Sequence, residues 1–245
     1  MLLHVRPARL LLGALVGAQL AYPRLPDRHA VAATRGIVGL MLAASAAEAF
    51  DARGARRGLA PLVAAGAIGF GVELAGVTTG RPFGHYSYSA KLGPRLGGVP
   101  LLAAAAWAMM SRPAWVVAGL ISQRRAARVV LAAGALTAWD VYLDPRMAGE
   151  GYWSWPRGGR YEGIPASNFL GWFATGLAVF TASTLLDTDD DPAADGDGAL
   201  ALYAWTWIGE GVASAVFWRR PVAAAAGATA MGAFALPALR ERLGL

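Results

Sequence analysis

Two aspartates, Asp140 and Asp144, stand four residues apart in the otherwise apolar stretch AWDVYLDP. At helical spacing both carboxyls project from one side. A third acid, Glu73 in GVELAGVTTG, lies about two turns before a dense patch of glycines, Arg81, His85 and aromatics. Glu48 and Glu210 also sit within or at the ends of apolar runs, Glu210 between two glycines. Ionisable groups are costly in such surroundings, so each marks either a functional position or a structural ion pair. Arg35 and Arg81 are cations able to neutralise one of these acids, and Asp144, before Pro145, also fits a cap at a helix exit. In apolar surroundings one carboxylic acid can stay protonated as a general acid while a second, ionised one orients and deprotonates water.

The elements that must position these acids are membrane helices. Of the 245 residues 56% are hydrophobic and 16% charged, with a mean hydropathy of +0.42, against about 25% charged in soluble domains. Apolar runs of roughly the 17 to 25 residues that cross a bilayer recur along the chain. Eight are expected, near 8–23, 30–50, 59–79, 99–121, 126–144, 168–186, 199–218 and 221–240, with Pro113 interrupting the fourth. The expected fold is an all-α, polytopic membrane bundle of about seven or eight spans, forming one domain over residues 1–245. The first run follows Arg6 and Arg9 but lacks a clean small-x-small cleavage site, so it reads as a retained helix rather than a leader.

Helices three and five run in the same direction in this scheme, so the loops after them emerge on one face. These loops, GRPFGHYSYSAKLGPRLGGVP from Gly80 and DPRMAGEGYWSWPRGGRYEGIP from Asp144, are rich in Gly, Pro, Arg and aromatics. Each closes on Gly-Val-Pro or Gly-Ile-Pro, a weak internal repeat. Loops this long usually have a task. Irregular backbone at membrane depth must be buried in protein or face a polar cavity. The two loops therefore read as lids over a cavity that opens toward lipid, the alternative being an interfacial belt of Trp and Tyr outside the bilayer.

Several function classes fall away. Without cysteine there is no thiolate metal site or iron-sulfur cluster, and His4, His29 and His85 are too dispersed for a histidine centre. The formal charge of +6 comes from clusters at helix ends, such as Arg53, Arg56 and Arg57 or Arg124, Arg125 and Arg128, which suit lipid headgroups rather than nucleic acid. Loop charges divide too evenly to fix the orientation. GAIGFG at 66–71 lies inside an apolar helix and reads as a close-packing surface; Gly13 and Gly17, and Gly76 and Gly80, share the small-xxx-small spacing, which is common in membrane helices and points to no particular partner. The acidic stretch DTDDDPAADGDG at 187–198 reads as a solvated loop.

The ordered clusters GVELAGVTTGRPFGHYSYSAKLGPRLGGVP, TAWDVYLDPRMAGEGYWSW and GGRYEGIPASNFLGWF, spanning about 70–175, resemble the CruF-type carotenoid biosynthesis family of integral membrane carotenoid hydratases. The resemblance implies hydration of a terminal double bond of a ψ-end carotenoid held in the bilayer, of the bisanhydrobacterioruberin or γ-carotene kind. The product is a tertiary alcohol, and the location a cell membrane. Membrane lipids and other carotenoid-pathway enzymes are the partners it suggests. Such chemistry needs a proton donor, support for a tertiary cation and a positioned water, and the resemblance implies no redox or other cofactor. Asp140 or Glu73 is the expected donor and Asp144 the water-orienting base. Trp139, Trp153, Trp155, Trp172, Tyr86 and Tyr88 offer π faces to the cation, and Arg81, His85 and Asn168 are the expected polar surround. Two rivals stay open. One is a prenyltransferase using Asp140 and Asp144 with magnesium, whose second acidic motif would be the stretch from Asp187 on the opposite face. The other is a carotenoid- or lipid-binding protein without chemistry.

Overall fold

The computed structural model describes residues 7–186 and 196–245. The acidic stretch from Asp187, and with it the second motif of the prenyltransferase reading, falls almost wholly outside the described residues, as does His4.

All eight expected apolar runs are helical: α1 (Pro7–Ala21), α2 (Asp27–Gly54), α3 (Ala60–Thr79), α4 (Leu101–Ile121), α5 (Arg125–Gly149), α6 (Ala166–Leu186), α7 (Asp197–Val216) and α8 (Pro221–Leu243). Five segments are long and apolar enough to cross a membrane: the run 27–79 that holds both α2 and α3, then α4, α5, α6 and α8. α1 and α7 are helices without meeting that description. The bundle's outer surface is apolar, with Val63, Leu170, Leu185 and Val216 all exposed. The chain is thus an all-α helical membrane protein.

The run 27–79 spans 53 residues, about 80 Å if it were one straight helix, more than twice a bilayer core. It is broken at Gly54, whose φ of +72° suits only glycine. A π-helical turn over 55–59 follows. There the chain folds back so closely that a Cβ on Gly58 would stand 2.6 Å from the carbonyl carbon of Ala49. α2 and α3 diverge from this hinge and both pack on α4. Between them runs a trough of about 1110 Å³, its open mouth included, walled by Leu42, Ala46, Val63 and Ala67 and floored by Ala104 and Ala105.

α4 is the innermost helix, packed on α2, α3, α5, α7 and α8 and buried without a break from Trp107 to Gly119. Pro113 does not interrupt it. α5 also runs past its expected end: Pro145 lies inside the helix, so Asp144 is an interior residue and not a cap. Proline has no N–H for the carbonyl four residues back, and that carbonyl, on Val141, instead accepts from the Tyr161 hydroxyl at 2.8 Å. The glycines of GAIGFG do pack closely: a Cβ on Gly66 would meet the Ala104 carbonyl oxygen at 3.2 Å, and one on Gly69 would overlap Trp107. Within the chain, a Cβ on Gly13 or Gly17 would meet nothing within 4 Å.

The two long loops meet on one face. β1 (Ser87–Tyr88) pairs antiparallel with β4 (Trp153–Ser154), placing Ser87 opposite Ser154 and Tyr88 opposite Trp153. The first loop also folds on itself through β2 (Arg95–Leu96) and β3 (Val99–Pro100). Trp155 Nε1 donates to the Phe83 carbonyl at 3.0 Å and Lys91 Nζ to the Glu150 carbonyl at 2.5 Å, stitching the loops into one cover.

Candidate functional site

Beneath this cover lies a cavity of about 620 Å³, mouth included, whose walls come from α2 to α6 and both loops. Its lining is almost wholly apolar and aromatic, with two carboxylic acids, Glu73 from α3 and Asp144 from α5. Both are buried, at 5% and 2% exposure.

Glu73 accepts three hydrogen bonds. The hydroxyls of Tyr86 and Tyr88 both donate to its Oε2, Tyr88 at 2.8 Å, and Trp107 Nε1 donates to its Oε1 at 3.2 Å. The loop places both phenols by folding back over α3. A Cβ on Gly76 would stand 2.8 Å from the Tyr86 hydroxyl and 2.9 Å from the Phe83 ring, so only glycine lets the loop lie this close. Burial, and then the neighbouring Glu73 charge, hold the Tyr86 and Tyr88 phenols well above the usual tyrosine range, so both remain donors.

Asp144 belongs to a second acidic centre. Its Oδ1 accepts from Trp153 Nε1 at 3.0 Å, and its Oδ2 from Asn168 Nδ2 at 2.5 Å. The same amide nitrogen donates to Asp140 Oδ2 at 2.8 Å. Asp140 and Asp144 thus share one amide, as their spacing in one helix allows. Asp140 is fully buried and stands behind the cavity wall, and its Oδ1 has no hydrogen-bond partner among the described residues. Asn168 is therefore the clasp of the pair, held at the start of α6.

Aromatic faces fill the space between the centres. Trp107 stacks on Trp172 with centroids 4.0 Å apart and planes 19° from parallel. Trp139 meets Trp172 edge-on at 6.0 Å. Tyr88 packs edge-on against Trp153 at 5.8 Å, and Tyr86 lies 6.0 Å from Trp155. A positive charge forming between Glu73 and Asp144 would face both carboxyls and several π systems.

The structure thus gathers Glu73, Asp140, Asp144, Asn168, Tyr86, Tyr88, Trp153, Trp155 and Trp172 at one site, with Trp139 one ring behind. It does not bring in Arg81 and His85. Both are exposed on the loop and absent from the lining, and the His85 ring packs over Gly80. The expected ion pairs are also different: Arg35 donates to the backbone of Ala90 and Lys91, while Glu48 is held by Arg112, Nε to Oε2 at 2.9 Å and Nη2 to Oε1 at 3.3 Å. Glu210 lines a separate cavity. Trp107 and Phe83 belong to the site and escape sequence reading. The only trace of Trp107 is a lone indole in the run LLAAAAWAMM. Among the described residues, no three His, Asp or Glu side chains are grouped closely enough to hold a metal ion.

Comparison with known proteins points the same way. A bisanhydrobacterioruberin hydratase of Haloarcula japonica is 33% identical over 126 residues, which is 49% of this chain and 42% of that protein. The alignment thus spans less than half of that relative's length. No solved structure matches the chain significantly. The profile of the carotenoid biosynthesis protein family matches residues 31–234, most of the chain and every site residue above, and the protein belongs to that family.

Proposed function

We propose that the protein is a carotenoid hydratase that adds water across the terminal double bond of a ψ-end carotenoid, of the bisanhydrobacterioruberin or γ-carotene kind, to give a tertiary alcohol. The observation that carries this reading is the presence of two separately built carboxyl centres on one aromatic, almost wholly apolar cavity. The hydratase name of the Haloarcula japonica relative supports it.

The roles follow from the hydrogen bonding of each centre. Two carboxyls clasped by one amide hold a proton between them more readily than two charges, as in other paired acids. Asp144, the member that lines the cavity, is the donor in this reading, and Asp140 keeps its proton in place. Three donors converging on Glu73 support a carboxylate there against its burial, and Glu73 is the base in this reading. This assignment differs from the one the sequence suggests, with Asp144 as base and Asp140 or Glu73 as donor.

Asp144 gives its proton to the less substituted alkene carbon, and the π electrons form the new C–H bond. The tertiary cation left at the disubstituted carbon faces Trp172 and the neighbouring rings. Water attacks it, forming the C–O bond, while Glu73 takes the water's proton. The sum is the addition of one water, and the proton returns from Glu73 to Asp144 before the next turnover. No electron is gained or lost.

The body of the polyene has a place as well. Val38, Leu42 and Ala46 follow one another at helical spacing along α2, Val38 in the cavity wall and the other two in the trough. An end group in the cavity leaves the chain to run along this stripe, between α2 and α3. Expression in cells that accumulate a ψ-end carotenoid, with mass spectrometry of the pigments, tests the proposal. A gain of one or two waters supports it, and unchanged pigment in the presence of inserted protein overturns it.

A further inference from the structure

A second cavity, on the other side of α5, takes no part in the chemistry above. It lies between α1 and α7, encloses about 950 Å³ including its mouth, and is lined by Tyr22, Arg146, Trp218 and Glu210 among apolar side chains such as Ile208 and Val212. Arg146 is two residues beyond Asp144, about 200° around the same helix, so the two side chains serve opposite faces of α5. The Arg146 guanidinium packs on the rings of Trp218 at 4.2 Å and Tyr22 at 4.9 Å. Its acidic neighbours stand loosely off it, Glu210 Oε1 at 3.8 Å and Glu150 Oε1 at 3.4 Å. Glu210 Oε2 is buried and has no hydrogen-bond partner among the described residues. Trp205 Nε1 donates to Gln19 Oε1 at 2.5 Å, joining α7 to α1 across one wall. Arg24, at the rim, is turned onto the Leu20 carbonyl at 2.6 Å.

A buried acceptor beside a loosely held guanidinium calls for a group that both donates and accepts. A phosphate or carboxylate suits the site badly, because Arg146 already stands between two acids. An ammonium would satisfy Glu210 and be repelled by Arg146. A neutral hydroxyl on an apolar chain satisfies both. We propose that this cavity binds the hydroxyl-bearing end of an apolar molecule, its O–H donating to the Glu210 carboxylate and its oxygen accepting from Arg146, with the chain against Ile208 and Val212. Two sources share that chemistry: a hydrated isoprenoid end, which rests on the function proposed above, and a membrane lipid with a free hydroxyl, which does not.

The test uses the purified full chain in lipid nanodiscs, a photoactivatable isoprenoid alcohol, and the same probe without its hydroxyl. Labelled positions are mapped by peptide mass spectrometry. The alcohol is expected to label the segments around Gln19–Arg24 and Trp205–Trp218 at least tenfold more than its deoxy counterpart. Glu210→Leu should abolish that preference, and Ala213→Trp, which fills the cavity, should abolish the labelling. Competition by a hydrated carotenoid identifies the isoprenoid source, and competition by diacylglycerol the lipid source. Equal labelling by both probes, or labelling that survives Ala213→Trp, overturns the proposal. Because no turnover is involved, pigment that stays unhydrated in cells while labelling persists would count against the hydratase reading alone.

Discussion

Glu73 and Asp144 differ in what surrounds them, and replacing each carboxyl by its amide tests the roles that difference suggests. Glu73→Gln keeps the size of the side chain but cannot take a proton from water. Asp144→Asn keeps the Trp153 and Asn168 contacts within reach but has no acidic proton to give. General acid–base groups are typically worth on the order of 100-fold or more in rate, so each variant should lose at least that much hydration in a pigment time course. Asp140→Asn, one group removed from the cavity, should slow the reaction less than Asp144→Asn. Wild-type hydration in either cavity variant would remove that residue from the chemistry. Tyr86 and Tyr88 add a pH signature. Their folded-state phenols titrate above the ordinary value of 10.0, because burial and then Glu73 disfavour the phenolate. Above about pH 10 the unfolded chain therefore releases protons that the folded chain retains, and stability falls as pH rises. Below that value the contribution is complete. Thermal unfolding of the Tyr86→Phe, Tyr88→Phe double variant should consequently show a shallower alkaline decline than the wild type.

At the scale of elements, sequence patterning succeeds where one physical rule dominates and fails where two compete. Lipid forces backbone hydrogen bonds to close within a helix, so every long apolar run is helical, and the polar, glycine-rich stretches between them become the cover of the site. Asp140 and Asp144 are legible as a pair because helical period alone brings them together. The end of α5 is not, because Pro145 argues locally for a stop and only the distant Tyr161 hydroxyl makes continuation affordable. Glu48 and Arg112 are likewise separated by 64 residues, and no local feature of either predicts the other. The Val141 carbonyl gives a direct check. Tyr161→Phe leaves it unsatisfied at a cost of about 1–2 kcal/mol, seen as a lower unfolding temperature in detergent. Pro145→Ala supplies an N–H for the same carbonyl and should recover most of that loss. If the cost of Tyr161→Phe is the same with Ala at position 145, the carbonyl is not its cause.

For the whole molecule, the proposed reaction poses a problem of access: a substrate held in lipid would have to place one end at a buried pair of acids. α2 and α3 are consecutive in sequence yet splay apart from Gly54, and only α4 lies beneath the gap. Helices joined by so short a turn would ordinarily close on each other along their length, and here they leave the trough open to the outside. Its floor is made of small side chains, Ala104 and Ala105, and its walls are apolar, which suits a thin, stiff polyene. If the substrate body lies there, closing the trough should stop the reaction without touching either carboxyl. The natural chain has no cysteine, so a pair introduced at Ala46 and Ala67, on opposite walls, is the sole target for a cleavable bifunctional thiol reagent. Cross-linking in membranes should reduce hydration at least tenfold, cleavage of the linker should restore it, and either single cysteine treated in the same way should remain active. Full activity with the walls joined would mean that the polyene reaches Glu73 and Asp144 by another side of the bundle.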